Sequence, residues 1–294
     1  MRREILIVGC GYVGMALARR EREHGAHVRA LARSSASTGR LQAAGIETAA
    51  GDLDDPSSLQ ALRLAGACVY YLAPPPSTGM SDPRMHAFLE ALKPQAQPRR
   101  IVLVSTTGVY GDCGGQWVDE DRPPNPQADR AHRRLAAERA LQAWGEETGV
   151  ALAILRVAGI YGPDRLPIER LRKGLPVLRE EESPWSNRIH VDDLVTACLA
   201  AADSGRSGRV YNISDGNPTT MTDYFNRVAE AVGLPPPPQI SWQQAQSLLS
   251  PEMLSYLSES RRLDNRRMRA ELGVAVRYPT LAAGLASCVR PASV

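Results

Sequence analysis

The sequence of residues 4–14 is EILIVGCGYVG, and the rest of the chain is organised around it. A short apolar run is followed at once by Gly9, Gly11 and Gly14, and residues 12–22 are predicted to form a helix. A G-x-G-x-x-G motif between a strand and a helix is typical of dinucleotide binding. Gly9 lets the chain turn, Gly11 lets the backbone approach a pyrophosphate, and Gly14 lets the helix pack close to the sheet. Plain turn glycines are the alternative, but the flanking strand and helix favour the cofactor site.

The start of this helix adds to the predicted cofactor site. Tyr12 and Val13 follow the glycine loop, where free backbone N–H groups and the positive end of the helix dipole face an anion.

A second strand is predicted over residues 26–32, and a NAD site usually carries Asp or Glu at its end. This chain carries Arg33 and Ser34 there, about 20 residues after the central glycine. A guanidinium beside a hydroxyl suits a 2′-phosphate, so NADP is favoured over NAD; a solvated Arg33 is the alternative.

The composition argues against several other classes of protein. With 294 residues, a 43% hydrophobic fraction and a formal charge of +3, the chain suits one large domain with a smaller lobe, and its charge gives no reason to expect nucleic acid or a membrane surface. Five scattered cysteines argue against a disulfide scaffold or a metal site. No apolar run approaches the ~18 residues of a membrane span, and the first strand begins too early for a signal peptide. We therefore expect a cytoplasmic protein.

Strand and helix patterns alternate through the first half of the chain. After residues 26–32, further apolar runs at 46–50, 67–72 and 100–104 predict strands with helical segments between them. This alternation predicts an α/β fold with a Rossmann-type, doubly wound parallel sheet. Ligands of such sheets bind beyond the carboxyl ends of the strands. The residues that follow those ends, and that we expect to converge on the cofactor cleft, are Asp52, Leu53, Ala73, Pro74, Thr106 and Tyr110.

Several segments spread along the chain resemble one family. They are GCGYVG at 9–14, STTGVYGD at 105–112, LRVAGIYGP at 155–163 and RIHVDDL at 188–194, with shorter matches at 51–53, 210–213 and 262–267. Together they resemble the extended short-chain dehydrogenase/reductase family, the NAD-dependent epimerase/dehydratase group. The glycine spacing departs from the G-x-x-G-x-x-G of typical extended members, which points to an atypical branch.

The resemblance implies a dinucleotide-binding domain formed by residues 1–164 and 186–214. Residues 165–185 and 215–294 would then form a smaller, mostly helical substrate lobe. Helices of that lobe are predicted at 219–232, 242–257 and 264–272. In RIHVDDL the acidic residues are expected to cap the helix that follows. Basic residues in or near the predicted loop 165–188, which could meet substrate phosphates or simply face solvent, are Arg172, Lys173, Arg179 and Arg188.

Members of this family resemble one another in a Ser or Thr after the fifth strand and in a Tyr-x-x-x-Lys pair on the next long helix. Thr106 stands at the Ser/Thr position. Matching the LAAE end of the helical segment places Arg130 at the tyrosine position and Arg134 at the lysine position. Arginine stays protonated and offers only donors, so Arg130 cannot act as the general base. Arg134 could still donate to a ribose hydroxyl, and the two arginines, four residues apart on one helix face, could hold an anionic ligand; a solvated helix face is the alternative.

Three other residues could supply acid–base chemistry. His132 has a suitable side chain, but it lies ~200° around the helix from Arg130. Tyr110 and Tyr161 are further candidates, and the alternatives for them are cleft wall and packing. The catalytic candidates are therefore Thr106, Arg130, Arg134 and Tyr110.

The sequence thus predicts an NAD(P)-binding, epimerase/dehydratase- or reductase-like protein with a degenerate active site. By resemblance, its substrate is a nucleotide-sugar-like or other hydroxylated small molecule, which the arginine pair indicates to be anionic. An enzyme with a relocated acid/base residue is one alternative, and a catalytically inactive NADP-binding sensor or scaffold protein is another. The sequence does not decide the oligomeric state, and a homodimer stays open.

Overall fold

The computed structural model describes residues 2–289, and its central feature is a seven-stranded sheet. The sheet strands are β1 (Glu4–Val8), β2 (His27–Ala32), β3 (Glu47–Ala50), β4 (Cys68–Tyr71), β5 (Arg100–Thr106), β6 (Ala151–Val157) and β7 (Arg209–Ile213). They are parallel throughout and lie in the order β7-β6-β5-β4-β1-β2-β3. The predicted α/β fold with a Rossmann-type parallel sheet is therefore confirmed.

Helices connect the strands and continue to the end of the described chain. The α-helices are α1 (Tyr12–Glu23), α2 (Ser35–Ala43), α3 (Pro83–Glu90), α4 (Asp129–Thr148), α5 (Ile168–Arg172), α6 (Val191–Ser204), α7 (Met221–Ala231), α8 (Trp242–Leu248), α9 (Pro251–Leu257), α10 (Arg266–Glu271) and α11 (Leu281–Cys288). Short 3-10 helices lie at Pro56–Leu59, Pro94–Ala96, Thr107–Tyr110 and Glu180–Glu182. None of the helices within residues 2–289 has both the length and the apolar character that a membrane crossing demands.

Four pairs of short strands lie outside the central sheet. They are Trp117–Val118 with Arg262–Leu263, Gly159–Tyr161 with Arg188–His190, Val177–Leu178 with Gln239–Ile240, and Trp185–Ser186 with Thr219–Thr220. Among them, the pair of Trp117–Val118 with Arg262–Leu263 joins a late segment of the chain to one that lies between β5 and α4.

Successive residues of β1 are buried on opposite faces of the sheet. Ile5 and Ile7 lie in one core with side chains of α1, α2 and α6, while Leu6 and Val8 lie in the other with side chains of α3 and α4. Alternate side chains of a strand point to opposite faces, so a strand covered on both faces needs an unbroken apolar run. Helices on both faces are what the doubly wound prediction required.

A buried ion pair holds α4 against the sheet. Arg156 of β6 donates from Nη2 to Oε2 of Glu138 on α4 over 2.8 Å, and the two side chains are 6% and 1% exposed. Ser105 of β5 donates its hydroxyl proton to the same carboxylate. Losing one partner of such a pair would leave a charge buried alone, so the cluster fixes α4 over the carboxyl ends of β5 and β6.

Two smaller apolar clusters lie outside the cores of the sheet. One gathers side chains of α5, α7 and α11 around Tyr161, and the other gathers α8 and α9 around Leu178. These clusters contain much of the predicted lobe of residues 165–185 and 215–294. The division of the chain into two domains stays a prediction, and its outermost residues, Met1 and 290–294, lie outside the described range.

The single helix predicted at 242–257 is wrong. The chain forms α8 and α9 instead, because Ser250 caps a new helix with its side chain and Pro251 occupies the first helical position. Leu248 at the end of α8 is 65% exposed. A serine followed by proline is a local start signal, so this break was visible in the sequence.

Two further segments differ from expectation. Residues 165–188, predicted as a loop, contain α5 and short strands. The helix predicted at 264–272 is observed as α10, but it packs against β7, and its Met268 and the adjoining Leu272 belong to a core of the sheet. This part of the predicted lobe therefore packs with the first domain.

The acidic residues of RIHVDDL do not cap α6 as predicted. His190 is the capping residue, and its Nδ1 accepts from the backbone N–H of Asp192 over 3.2 Å. Burial lowers the pKa of His190, which keeps the ring neutral and able to accept. Asp193 is buried and accepts from the backbone N–H groups of Arg277 (2.7 Å) and Tyr278 (3.0 Å). Its carboxylate thus fastens the segment before α11 to α6.

Asp193 and Asp192 provide a matched pair of substitutions. Asp193→Ala is expected to lower the free energy of unfolding by about 3 kcal/mol, because two backbone N–H groups lose a charged acceptor. Asp192→Ala should lower it by only about 0.5 kcal/mol, since this half-buried side chain accepts no backbone hydrogen bond within the described residues and acts mainly on the helix dipole. Urea unfolding followed by circular dichroism measures both. Equal effects of the two substitutions would show that the carboxylate of Asp193 does not hold this segment.

Candidate functional site

A cleft of about 830 Å³ lies along the carboxyl ends of the central strands. The strand order reverses at β1, since β2 and β3 lie on one side of it and β4 and β5 on the other. Loops part at such a switch point and leave the crevice in which open α/β sheets bind ligands. The predicted cofactor residues that line this cleft are Gly9, Gly11, Tyr12, Val13, Gly14, Arg33, Asp52, Leu53, Ala73 and Pro74.

The three glycines of the first loop have different surroundings. Gly9 has a φ of +92°, and a Cβ there would lie 2.5 Å from the backbone N of Ala73, so the loops after β1 and β4 touch. A Cβ on Gly14 would lie 2.9 Å from the carbonyl oxygen of Gly9. A Cβ on Gly11 would meet no atom within 4 Å. The first and third glycines therefore serve close packing, while the second faces open space in the cleft.

Tyr12 ties the start of α1 to a distant turn. Its hydroxyl donates to the carbonyl oxygen of Pro163 over 2.8 Å, and burial raises its pKa to about 12. A Cβ on Gly162 would lie 2.4 Å from this hydroxyl oxygen, so the glycine leaves room for the contact. The aromatic ring thus forms one wall of the cleft at the first turn of α1.

A basic cluster lies where β2 ends. Arg33 lines the cleft together with Ser37 and Arg40 of α2, and Arg40 donates from Nη2 to the carbonyl oxygen of Cys10 over 3.3 Å. Ser34, also predicted as a cofactor residue, is not among the residues that line the cleft. Its hydroxyl accepts from the backbone N–H of Ser37 and caps α2.

Arg84 of α3 joins the loops after β3 and β4 at the cleft. Asp54 accepts two hydrogen bonds from Arg84, at 2.7 Å from Nε and 2.6 Å from Nη2, and this pairing holds the pKa of Asp54 below its usual value. Arg84 also donates to the carbonyl oxygen of Pro74 over 3.0 Å. The carboxylate of Asp52 accepts from the backbone N–H of Asp54, so it shapes its own loop.

A second cavity of about 480 Å³ adjoins the cleft. Thr106 caps the 3-10 helix that follows β5, with its Oγ1 accepting from the backbone N–H of Gly108 over 3.2 Å. Arg134 donates from Nη1 to the carbonyl oxygen of Ala73 over 3.2 Å, and burial lowers its pKa. The residues that line both cavities are Pro74, Thr106, Arg134, Val157 and Ala158, and none of these side chains is a general base.

Arg130 lines only the second cavity. It donates from Nη1 to the hydroxyl of Ser255 over 2.8 Å, and its guanidinium carbon lies 3.8 Å from the ring centroid of Tyr256. Both partners belong to α9, so Arg130 joins α4 to the later helices. Arg130 and Arg134 face one cavity as the i, i+4 spacing predicted, but the guanidinium of Arg130 is already engaged.

The tyrosines considered as relocated acid/base residues lie away from both cavities. Tyr110 is buried, its hydroxyl donates to Oδ1 of Asn212 over 2.8 Å, and its ring centroid lies 4.8 Å from the guanidinium carbon of Arg156. This corrects the assignment of Tyr110 as a catalytic residue, because it is part of the core. Tyr161 is also fully buried, and His132 lines neither cavity, as its position around the helix predicted.

Among the four basic residues expected to meet phosphates, Arg188 alone lines a described cavity, the second one. Its guanidinium carbon lies 4.2 Å from the ring centroid of Tyr224, and burial lowers its pKa. Arg172 instead pairs with Glu169 on α5, Nη1 to Oε1 at 2.7 Å. The alternative of a solvent-facing charge therefore fits Arg172 better.

Several residues of the site escaped the sequence argument. Ser37 and Arg40 are three residues apart on α2, so their common face could have been found from helical periodicity. The later missed residues, which line the second cavity, could not have been found in this way, because they come from segments far along the chain that only the tertiary fold brings together. They are Trp185, Ser186, Asn187, Met221, Tyr256, Glu259 and Arg261.

Asp215 follows β7 and lies beside Arg188, whose carbonyl oxygen accepts from its backbone N–H over 2.8 Å. Its Oδ1 accepts from the backbone N–H of Asn217, while its Oδ2 has no hydrogen-bond partner within the described residues. Burial raises the pKa of this carboxyl to about 7, although the Asn217 N–H and Arg188 act in the opposite direction. The group therefore titrates near neutral pH close to the second cavity.

Comparisons with known proteins show a matching family and several similar proteins. The model of the "NAD dependent epimerase/dehydratase family" matches residues 5–214. Protein YeeZ of Escherichia coli K12 is 28% identical over 286 residues, which cover 94% of this chain and 97% of that protein. A 3-diazoavenalumate denitrifying reductase of a Streptomyces species is 29% identical over 65% of each chain. The structure of a functionally unknown conserved protein from Silicibacter pomeroyi DSS is 32% identical, with a TM-score of 0.82 over 96% of both chains.

Asp215 predicts a defined pH dependence of stability. The unfolded carboxyl loses its proton near its ordinary pKa of 3.8, while the folded one keeps it until about pH 7. The unfolded state therefore binds fewer protons across this window, so the free energy of unfolding should fall by about 3 kcal/mol as the pH rises from 4 to 7. Urea unfolding at a series of pH values should show that Asp215→Asn removes this fall, whereas Asp203→Asn, at an exposed carboxylate, does not. Parallel profiles for wild type and Asp215→Asn would contradict the assignment.

Proposed function

The chain belongs to the NAD-dependent epimerase/dehydratase family, and we propose that it is an NADP-dependent reductase of a small, anionic, oxo- or hydroxylated molecule. The observation that carries this proposal is the pairing of a basic cluster at one end of the cleft with an unneutralised arginine, Arg134, at the other. Nucleotide-sugar-like substrates are one class that the family suggests. The fixed positive charge of Arg134 favours reduction of a carbonyl over epimerisation.

The cleft fits a nicotinamide dinucleotide. Position 11 leaves space for a pyrophosphate, because a Cβ there would meet no atom within 4 Å. Gly11, Tyr12 and Val13 would hold that group with backbone N–H groups at the start of α1, which carries no acidic residue in its first turn. When bound, the cofactor supplies a hydride at its nicotinamide ring.

The basic cluster supports NADP as the cofactor. Arg33, Ser37 and Arg40 line the same end of the cleft, where an NAD site would carry a carboxylate for the ribose 2′-hydroxyl. Two guanidinium groups and a hydroxyl provide charge-assisted donors for a 2′-phosphate instead. NADH has no 2′-phosphate to receive these donors, so the cluster should bind NADPH more tightly than NADH.

The fixed charge of Arg134 favours reduction. A carbonyl that accepts hydride develops negative charge on its oxygen, and a guanidinium N–H of Arg134 stabilises that charge where it forms. Thr106 can donate to the same oxygen, since its Oγ1 accepts from Gly108 and leaves its own proton free. Water then protonates the product alkoxide. Oxidation of an alcohol would need a base to remove its proton, and arginine cannot serve as one.

The second candidate function is a catalytically inactive NADP-binding sensor or scaffold. The contact of Arg130 with Ser255 and Tyr256 favours it, because the residue at the position of the family's tyrosine serves to join two helices. Both functions require cofactor binding, and only the reductase requires turnover.

The cofactor preference is measurable by calorimetry. We expect NADPH to bind at least tenfold more tightly than NADH, and Arg33→Ala and Arg40→Ala each to weaken NADPH about tenfold while changing NADH little, because each loses a charged contact to the 2′-phosphate. Arg139→Ala, an exposed arginine of α4, is the control and should change neither. Equal affinities for the two cofactors would overturn the preference for NADP.

Turnover separates the reductase from the sensor. With 4-carboxybenzaldehyde and a panel of oxo acids, the wild-type protein should oxidise NADPH, and Arg134→Met should lower kcat about 100-fold because the developing oxyanion loses its donor. The affinity for NADPH should change less than threefold, and Arg139→Met should behave as wild type. Tight NADPH binding with no oxidation by the wild-type protein on any carbonyl tested would favour the sensor instead.

A double substitution tests the direction of the reaction. Arg130→Tyr combined with Arg134→Lys restores the family's pair and supplies a group that can exchange a proton. We expect this variant to gain alcohol oxidation with NADP and the wild-type protein to show none. Failure to gain it, in a variant that still binds NADP, would show that the surrounding pocket rather than the missing base limits the reaction.

A further inference from the structure

The second cavity carries more positive charge than its own carboxylate balances. Four arginines line it, and its acidic residue, Glu259, is already paired with Arg261 at 2.9 Å between Oε2 and Nη1. Arg130 is engaged by α9. Arg134 and Arg188 are left, and neither forms an ion pair with any carboxylate of residues 2–289.

Arg188 is built into the wall of this cavity. Its guanidinium packs over the ring of Tyr224 and donates from Nη1 to the carbonyl oxygen of Asn187 over 2.9 Å. A Cβ on Gly159 would lie 2.9 Å from Nη1, so the absence of a side chain there leaves room for the group. Burial lowers the pKa of Arg188, yet a guanidinium keeps its proton at neutral pH. The neighbouring carboxyl of Asp215 forms no ion pair with Arg188, and burial raises the pKa of that carboxyl to about 7. The charge of Arg188 therefore lacks a full counterion, which costs stability unless a ligand supplies one.

Two further donors face the same cavity. The buried hydroxyl oxygen of Ser186, two residues before Arg188, forms no hydrogen bond within the described residues. Arg134 lies where the cavity meets the cofactor cleft, and within residues 2–289 it makes one side-chain hydrogen bond, to Ala73. Buried polar groups in native proteins are nearly always hydrogen-bonded, so an unpaired one beside a cavity marks a place for a ligand.

We propose that Arg188 and Ser186 bind an oxyanion of the substrate, a carboxylate or a phosphate, while Arg134 faces the reacting carbonyl at the other end of the cavity. This assignment rests on the proposed function, because it concerns the substrate end of the same site. It narrows the substrate to molecules that carry a carbonyl and a separate anionic group, since Arg188 then gains a negatively charged partner and Arg134 a carbonyl oxygen on which negative charge develops. A guanidinium gains charge-assisted bonds from an oxyanion that it cannot gain from a neutral amide.

Binding of a matched pair of probes to the full chain saturated with NADPH tests the anion site. Benzoate and benzamide have nearly the same shape, and only benzoate is charged. We expect calorimetry to show benzoate binding at least tenfold more tightly than benzamide, and Arg188→Met to remove that preference. Arg172→Met is the control, because this exposed arginine of α5 already pairs with Glu169 and lines neither cavity.

The stability of the ligand-free protein gives a second readout. A ligand-binding arginine without a counterion should be costly, so Arg188→Met should raise the Tm by about 2 °C while Arg172→Met leaves it unchanged. If Arg188→Met does not fold, Ser186→Ala and Arg188→Lys replace it, each expected to weaken benzoate at least threefold.

The outcomes separate this proposal from the proposed function. Equal binding of benzoate and benzamide, or benzoate binding that the Arg188 and Ser186 substitutions leave unchanged, overturns the anion site even when NADPH binds normally. Loss of NADPH binding by the wild-type protein overturns the proposed function instead. Competition with inorganic phosphate identifies the anion, because displacement of benzoate at equal or lower concentration assigns a phosphate and weaker displacement assigns a carboxylate.

Discussion

The buried pair of Arg156 and Glu138 decides where α4 lies, and the candidate site depends on α4. The pair joins the helix to β6, and Ser105 adds a bond from β5. Arg130 and Arg134 lie on the stretch of α4 that this contact positions, two and one helical turns before Glu138. A guanidinium that must meet a developing charge cannot drift by even an ångström without losing much of its effect. An ion pair away from solvent supplies that rigidity, because neither partner can leave the other without an uncompensated charge.

Local signals were enough to predict the sheet and the first loop. The glycines at 9, 11 and 14 and the apolar runs that precede and follow them are short-range patterns, and the backbone requirements they meet are also short-range. The same reasoning failed to show that the hydroxyl of Ser34 caps α2. It failed again at His190, because capping by histidine has no strong sequence signal.

The second cavity was out of reach of such reasoning. Tyr110 seemed to point at the cleft because it follows β5, yet Asn212 of the last strand binds its hydroxyl inside the core. Tyr256 and Ser186 reach the cavity through packing of segments more than a hundred residues from the glycine loop. Their spacing in the chain carries no periodicity that could reveal a common site, so only the folded arrangement shows it. The family resemblance was informative about the cofactor end for the opposite reason, since that end is one continuous motif.

The contacts between Arg130 and α9 affect how fast small molecules would enter and leave the second cavity. One wall of the second cavity is Tyr256, and that wall is held by a hydrogen bond at 2.8 Å together with a cation–π contact at 3.8 Å. Contacts of these two kinds contribute about 1 to 2 kcal/mol together. If these contacts must break before a molecule can pass on this side, its entry and exit would be about 5- to 30-fold slower than past a helix without them. Arg130, which the resemblance places at the position of the family's tyrosine, would then influence how long a small molecule stays in the second cavity.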